Sequence, residues 1–220
     1  QWDPTQYLRY ADERLRPALD LMARVPLAAP ARVVDLGCGP GNVTAILKQR
    51  WPGAEVVGVD SSPEMLAKAR GLAPDCRFEQ GSFGDWTPAA APELMYSNAA
   101  LHWLGGHEAL FPRLLGLLAK GGVLAVQMPG MHAAPLRALQ NEIAANGPWA
   151  DELVDVGFAR PILELPAYWD LLRPRCAALE IWETTYMHAL QGEDAAVQWA
   201  MGTSLKPFLD RLDGALRAGF

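Results

Sequence analysis

Val33-Val34-Asp35-Leu36-Gly37-Cys38-Gly39-Pro40-Gly41-Asn42 reads as a short buried strand that runs into a turn holding three glycines. A second apolar run, Val56-Val57-Gly58-Val59, follows and ends on Asp60. Glycine lets the backbone take positive φ and lets a ligand approach without meeting a Cβ. An acidic side chain at the tip of the second strand accepts the hydroxyls of a ribose. The two signals together point to a nucleoside-bearing ligand lying across the ends of neighbouring strands. A plain strand-to-helix turn would not require the acid at the next strand end.

Dinucleotide enzymes use the same two devices, with the pattern Gly-x-Gly-x-x-Gly. Here the glycines stand at 37, 39 and 41 and position 42 is Asn, so the third glycine of that pattern is missing. Pro40 also removes a backbone N–H that a pyrophosphate cradle would use. An NAD-binding oxidoreductase is therefore the alternative that these positions count against.

Working outward, residues 12–25 carry Leu15, Ala18, Leu19, Met22 and Val25 at helical spacing, with Pro17 expected in the first turn. Strands are expected at 33–36, 55–60, 77–80, 93–98 and 123–128, and helices at 42–50 and 108–119, the latter ended by Gly121-Gly122. Ser62 is the expected N-cap of a further helix, with Pro63 in its first position. This alternation predicts an α/β fold, a doubly wound, Rossmann-like and mostly parallel sheet. Ligands of such sheets bind beyond the carboxyl ends of the strands, where Asp35, Asp60 and Asn98 all fall. After Gly130 the rhythm changes. Helices are expected at 133–146, within 149–175, and at 193–201 and 204–218, and Leu179–Leu190 reads as a long strand. The whole is read as one domain, with a core of 31–130 plus 176–190 under a helical lid from about 1–25, 131–175 and 191–220.

The 220 residues suit a single domain of moderate size, and half of them are apolar. The formal net charge is −6 and no basic block occurs, so no nucleic-acid partner is expected. Apolar runs are too short to span a bilayer, and no signal-peptide pattern opens the chain, although it begins on Gln1 and a trimmed start is expected. Cys38, Cys76 and Cys176 are far apart with no Cys-x-x-Cys. That argues against a disulfide framework or a zinc site and for a reducing, cytoplasmic setting.

Asp35-x-Gly37-x-Gly39-x-Gly41, Gly58-Val59-Asp60 and the block from Leu118 to Met128 resemble the class I S-adenosylmethionine-dependent methyltransferases. Within that class nearly the whole chain is similar to the bacterial trans-aconitate 2-methyltransferases. The similarity runs through Trp2-Asp3-Pro4 with Tyr7, Asp12-Glu13-Arg14-x-Arg16-Pro17, Tyr96-Ser97-Asn98-Ala99 with Trp103, and Gly122 to Pro129. It continues in Asn146-Gly147-Pro148-Trp149, Ile181-Trp182-x-Thr184-Thr185-Tyr186, and Gly202-Thr203 before Leu205 to Leu209. The resemblance implies S-adenosylmethionine as cofactor, held by Asp35, Gly37, Cys38, Gly39, Gly41, Asn42, Asp60, Ser61, Met65, Ser82, Phe83 and Asn98. Two departures stand out. Ser82 occupies the place where the family has Asp near the adenine amino group, and a neutral hydroxyl accepts more weakly; Asp85 is a substitute three residues on. The family's sheet also ends with a strand after the last helix, which a chain ending at Phe220 does not reach, so a cut end is expected.

The implied reaction is attack of a small-molecule carboxylate on the sulfonium methyl, giving a methyl ester, with trans-aconitate the expected acceptor. O- or C-methylation of another small metabolite is the runner-up. A carboxylate is already ionised at neutral pH, so neither a general base nor a metal is expected. Tyr7, Asn98 and Trp103 are expected to position the reactants. An acidic chain must offer a tricarboxylate local positive charge, and Arg14, Arg16, His132 and Arg137 are the candidates. Arg14 and Arg16 equally suit a solvated helix face paired with Asp12 and Glu13.

Overall fold

β1 (Arg32–Leu36), β2 (Glu55–Asp60), β3 (Arg77–Gln80), β4 (Leu94–Asn98) and β5 (Val123–Gln127) form one parallel sheet in the order β3-β2-β1-β4-β5. The computed structural model describes residues 11–130, 135–154, 156, 162–201 and 204–220, with side chains from Leu15 onward. Its helices are α1 (Ala11–Ala23), α2 (Asn42–Arg50), α3 (Pro63–Leu72), α4 (His107–Leu117), α5 (Pro135–Asn146), α6 (Ala150–Leu153), α7 (Leu165–Leu172), α8 (Ala195–Met201), α9 (Lys206–Leu209) and α10 (Gly214–Gly219).

Parallel strands need both faces covered, which is why β1 and β4 are apolar on successive residues rather than alternating. On one face Val33, Val56, Leu94, Tyr96 and Ala125 meet Leu47 of α2 and Leu21 and Met22 of α1. On the other, Val34, Leu36, Val59 and Met95 meet Leu110, Phe111 and Leu114 of α4 and Tyr168 and Leu172 of α7. Strand order runs outward from β1 to β3 and then restarts beside β1 with β4. The switch point is thus between β1 and β4, where loops diverge and leave a crevice.

The chain divides into two compact units. The first, holding the sheet, is Leu15–Pro129 with Ile162–Trp182; the second is Gly130–Pro161 and Glu183–Phe220 with the residues up to Arg14. This division differs from the expected core and lid: most of α1, and α7, pack with the sheet, while 183–190 belong to the second unit. In the second unit Ala144, Leu153, Phe208 and Leu212 make a small core, with Trp149 edge-on to Phe220. A cavity of about 460 Å³ lined by Ala144, Leu153 and Phe208 lies there and holds none of the expected site residues. No described helix is long and apolar enough to cross a membrane.

Three expectations are corrected. Leu179–Leu190 forms no strand. Leu179 and Ile181 instead pack beside α4 and α7, because alternating apolar residues make a strand only where a ladder partner lies alongside. Pro17 sits inside α1 rather than in its first turn. The stretch 204–218 is two short helices, α9 and α10, with Gly214 in the left-handed region (φ +44°) at the break.

Candidate active site

All the geometry that follows belongs to the sheet unit. Asp35 ends β1 fully buried, and its Oδ2 accepts a hydrogen bond from Thr44 Oγ1 of α2 at 2.6 Å. Burial pushes its carboxyl up to about 7; the Thr44 hydroxyl opposes the rise and nearby Asp60 adds to it. Burial likewise raises the Cys38 thiol, which is packed inward.

Gly37, Gly39 and Gly41 are all left-handed, at φ +76°, +52° and +88°. A Cβ on Gly37 would stand 2.2 Å from the Cβ of Ala100, so the turn after β1 and the turn after β4 touch there. A Cβ on Gly41 would come within 3.0 Å of the Ala69 backbone, which lets α3 approach. At Gly39 a Cβ would meet nothing within 4 Å, so this residue borders open space.

The donors of this turn are all engaged within the chain. Gly37 and Cys38 N–H donate to Val59 O at 2.8 and 3.0 Å, Gly39 N–H to Asp60 Oδ2 at 2.9 Å, and Gly41 N–H to Cys38 O at 3.0 Å. Pro40 has no N–H. A diphosphate would find no free amide between 37 and 41.

Asp60 also takes Ser62 N–H on its other oxygen at 2.8 Å. Each carboxylate oxygen keeps a further lone pair, so the acid fastens two loops and still accepts hydroxyls. Ser62 caps α3 as expected, its Oγ accepting Met65 N–H at 3.3 Å. Ser61 O accepts from Gln80 Nε2 at 3.3 Å, tying the ends of β2 and β3. In the loop after β3, Ser82 is exposed; its Oγ accepts Gly84 N–H at 3.3 Å and its carbonyl accepts from Asp85 and Trp86 N–H. The Phe83 ring lies beside Gly37, 3.5 Å from where a Cβ would stand.

Asn98 ends β4, and its Oδ1 is buried with no hydrogen-bond partner among the described residues. A buried acceptor left open in this way is costly unless a ligand completes it. Ala99 follows in the left-handed region at φ +50°, its N–H donating to Gln127 O and Oε1 at 3.0 and 3.2 Å. A 3-10 turn, Leu101–Trp103, comes next. Burial and then neighbouring His107 push His102 down to about 4, so its ring is neutral at pH 7. Trp103 is 60% exposed.

The structure thus gathers Asp35, Gly37, Cys38, Gly39, Gly41, Asn42 and Asp60 with Phe83 and Asn98 around the switch point. Tyr7 and His132 lie outside the described residues, as does the side chain of Arg14. Arg16 is exposed on α1 of the sheet unit, whereas Arg137 belongs to the other unit, where burial lowers its guanidinium below the ordinary value. Thr44 was missed by the sequence reading.

An adenosyl sulfonium fits these residues. Gly39 leaves space, Asp60 has lone pairs for a ribose, and Asn98 holds an unfilled acceptor.

The sequence profile of the family described as "Methyltransferase domain" matches residues 33–122, which hold the whole site just described. The chain is 50% identical to a trans-aconitate 2-methyltransferase of Methylobacterium radiotolerans, over all of this chain and 85% of that protein. It is 49% identical to the proteins of that name from Paracidovorax citrulli and Variovorax paradoxus, with the same coverage. Among solved structures, a chain from the complex between the Haloferax volcanii Trm112 methyltransferase activator and a methyltransferase superposes with a TM-score of 0.58. It is 21% identical and the match covers 78% of this chain and 72% of that one, which speaks to the fold alone.

Proposed function

Since the chain belongs to the trans-aconitate 2-methyltransferase family, we propose that it uses S-adenosylmethionine to methylate a carboxylate of trans-aconitate, and that the crevice over β1, β2 and β4 is where the cofactor sits. When bound, the cofactor supplies an electrophilic methyl group on a positively charged sulfur. Asp60 would receive the ribose hydroxyls, Phe83 and Ser82 the adenine, and the turn at Gly39 and the Asn98 acceptor the methionine part. Held by these residues, the cofactor would supply a methyl group that the acid's carboxylate oxygen could accept, the electron pair of the S–CH3 bond staying with sulfur. No proton is gained or lost, so the site needs no base. What the chain contributes is alignment of the two reactants and exclusion of water.

The observation that carries this reading is the engaged set of amides from Gly37 to Gly41. It leaves room for a nucleoside beside Asp60 but gives a diphosphate no free N–H between Gly37 and Gly41. The test is a methyl-transfer screen with trans-aconitate, cis-aconitate, citrate and isocitrate, alongside calorimetric binding of S-adenosylhomocysteine to wild type and Asp60→Ala. We expect labelled ester from trans-aconitate above the other acids and cofactor affinity reduced at least about tenfold in the variant. Turnover of none of the acids would overturn the substrate, and equal affinity in the two proteins would overturn the site.

A further inference from the structure

α4 carries a cation that nothing above uses. Arg113 Nη2 donates to Trp86 O at 2.5 Å, and Nη1 makes a longer contact with Phe83 O at 3.5 Å. Both carbonyls belong to the loop after β3, which contains Ser82 and Phe83. No helix or ladder partner supports this loop: Ser82 O takes backbone N–H groups of its own turn, and the Phe83 and Trp86 carbonyls are met by the Arg113 side chain. The loop is gripped a second time through the Trp86 ring. Trp86 Nε1 donates to Glu79 Oε2 of β3 at 3.0 Å, and a Cβ on Gly81 would stand 2.8 Å from that ring. Phe83 is thus carried on a short span whose far end is pinned by backbone and by ring. Ser82 meanwhile spends its hydroxyl on Gly84 N–H within the same turn. A neutral Ser in that place makes adenine binding depend on the shape of the loop more than on a charged acceptor.

We propose that Arg113 is a positioning residue for the cofactor. It holds Phe83 and Ser82 in the geometry that receives the adenine, acting through the loop backbone and touching no ligand itself. The inference rests on the reading that the cofactor lies across the ends of β1 and β2. Arg is suited to the task because its planar fork fixes two N–H directions towards two carbonyls, whereas a Lys ammonium is a compact point charge on a flexible stem of shorter reach.

The experiment compares wild type, Arg113→Met, Arg113→Lys and Trp86→Phe by calorimetric titration with S-adenosylhomocysteine and by steady-state kinetics, with melting curves for each. In Arg113→Met the Kd for S-adenosylhomocysteine and the KM for the cofactor should rise about tenfold. The KM for the acid and kcat at saturating cofactor should stay within about twofold. Arg113→Lys should recover part of the loss, and Trp86→Phe, which removes the ring N–H and part of the indole that packs on Gly81, should shift the cofactor KM in the same direction by less. A folded Arg113→Met with unchanged cofactor affinity overturns the proposal, as does a fall in kcat with the cofactor KM unmoved. If Arg113→Met does not fold, unchanged affinity in both other variants overturns it. Wild type that fails to bind S-adenosylhomocysteine at all overturns the site reading instead.

Discussion

Asp35 joins two demands that conflict. The residue must be buried for β1 to sit in the centre of the sheet, and its carboxylate there gives up the hydration that favours its charge. Its only described side-chain partner is the Thr44 hydroxyl, and burial pushes the carboxyl from 3.8 to about 7. The sign follows directly. Between those two values the folded chain keeps a proton that the unfolded chain has lost. The stability tied to this group is therefore complete below about pH 4 and drains away as the pH climbs to about 7. The span of roughly three units corresponds to at most about 4 kcal/mol. Asp35→Asn should flatten that slope. Urea unfolding at pH 5 and pH 8 measures it: wild type should lose more stability than the variant on going to pH 8. Equal losses in the two proteins would rule out Asp35 as the source.

The elements that matter most are turns, and the tightest lies between β1 and α2. Gly37 combines a left-handed backbone with contact against the turn after β4, where Ala100 occupies the space a side chain would need. Gly37→Ala should cost roughly 2 kcal/mol or more, from backbone strain and overpacking together. Adding Ala100→Gly should return more than about 1 kcal/mol of it, which a double-mutant cycle by chemical denaturation would read. Strict additivity would show that the two turns do not press on each other. The strands were legible because a central parallel strand leaves continuous Val and Leu runs, and Ser62-Pro63 announces a helix start on its own. Leu179–Leu190 was not legible, since the same alternation serves a strand or a packed extended segment. Thr44 and Arg113 escaped for another reason. Their partners stand nine residues away and 27 and 30 residues away, and no local pattern encodes such pairings.

At the scale of the whole molecule the two compact units set what a melting curve reports. The residues proposed to hold the cofactor belong to the sheet unit, so a ligand bound there would stabilise that unit directly. S-adenosylhomocysteine at about a hundred times its Kd should add about 2.7 kcal/mol. For a chain of this size that lifts the midpoint by roughly 5–10 °C. NADH at the same concentration should leave it unmoved, as differential scanning fluorimetry would show; a shift with NADH alone would favour an oxidoreductase. If two transitions appear, only the one from the sheet unit should move. The turn from Gly37 to Gly41, with every amide already occupied, has a wider effect. In a medium crowded with ATP and its relatives, that turn gives their phosphates nothing to grip. ATP should therefore compete only weakly with the methyl donor for the crevice.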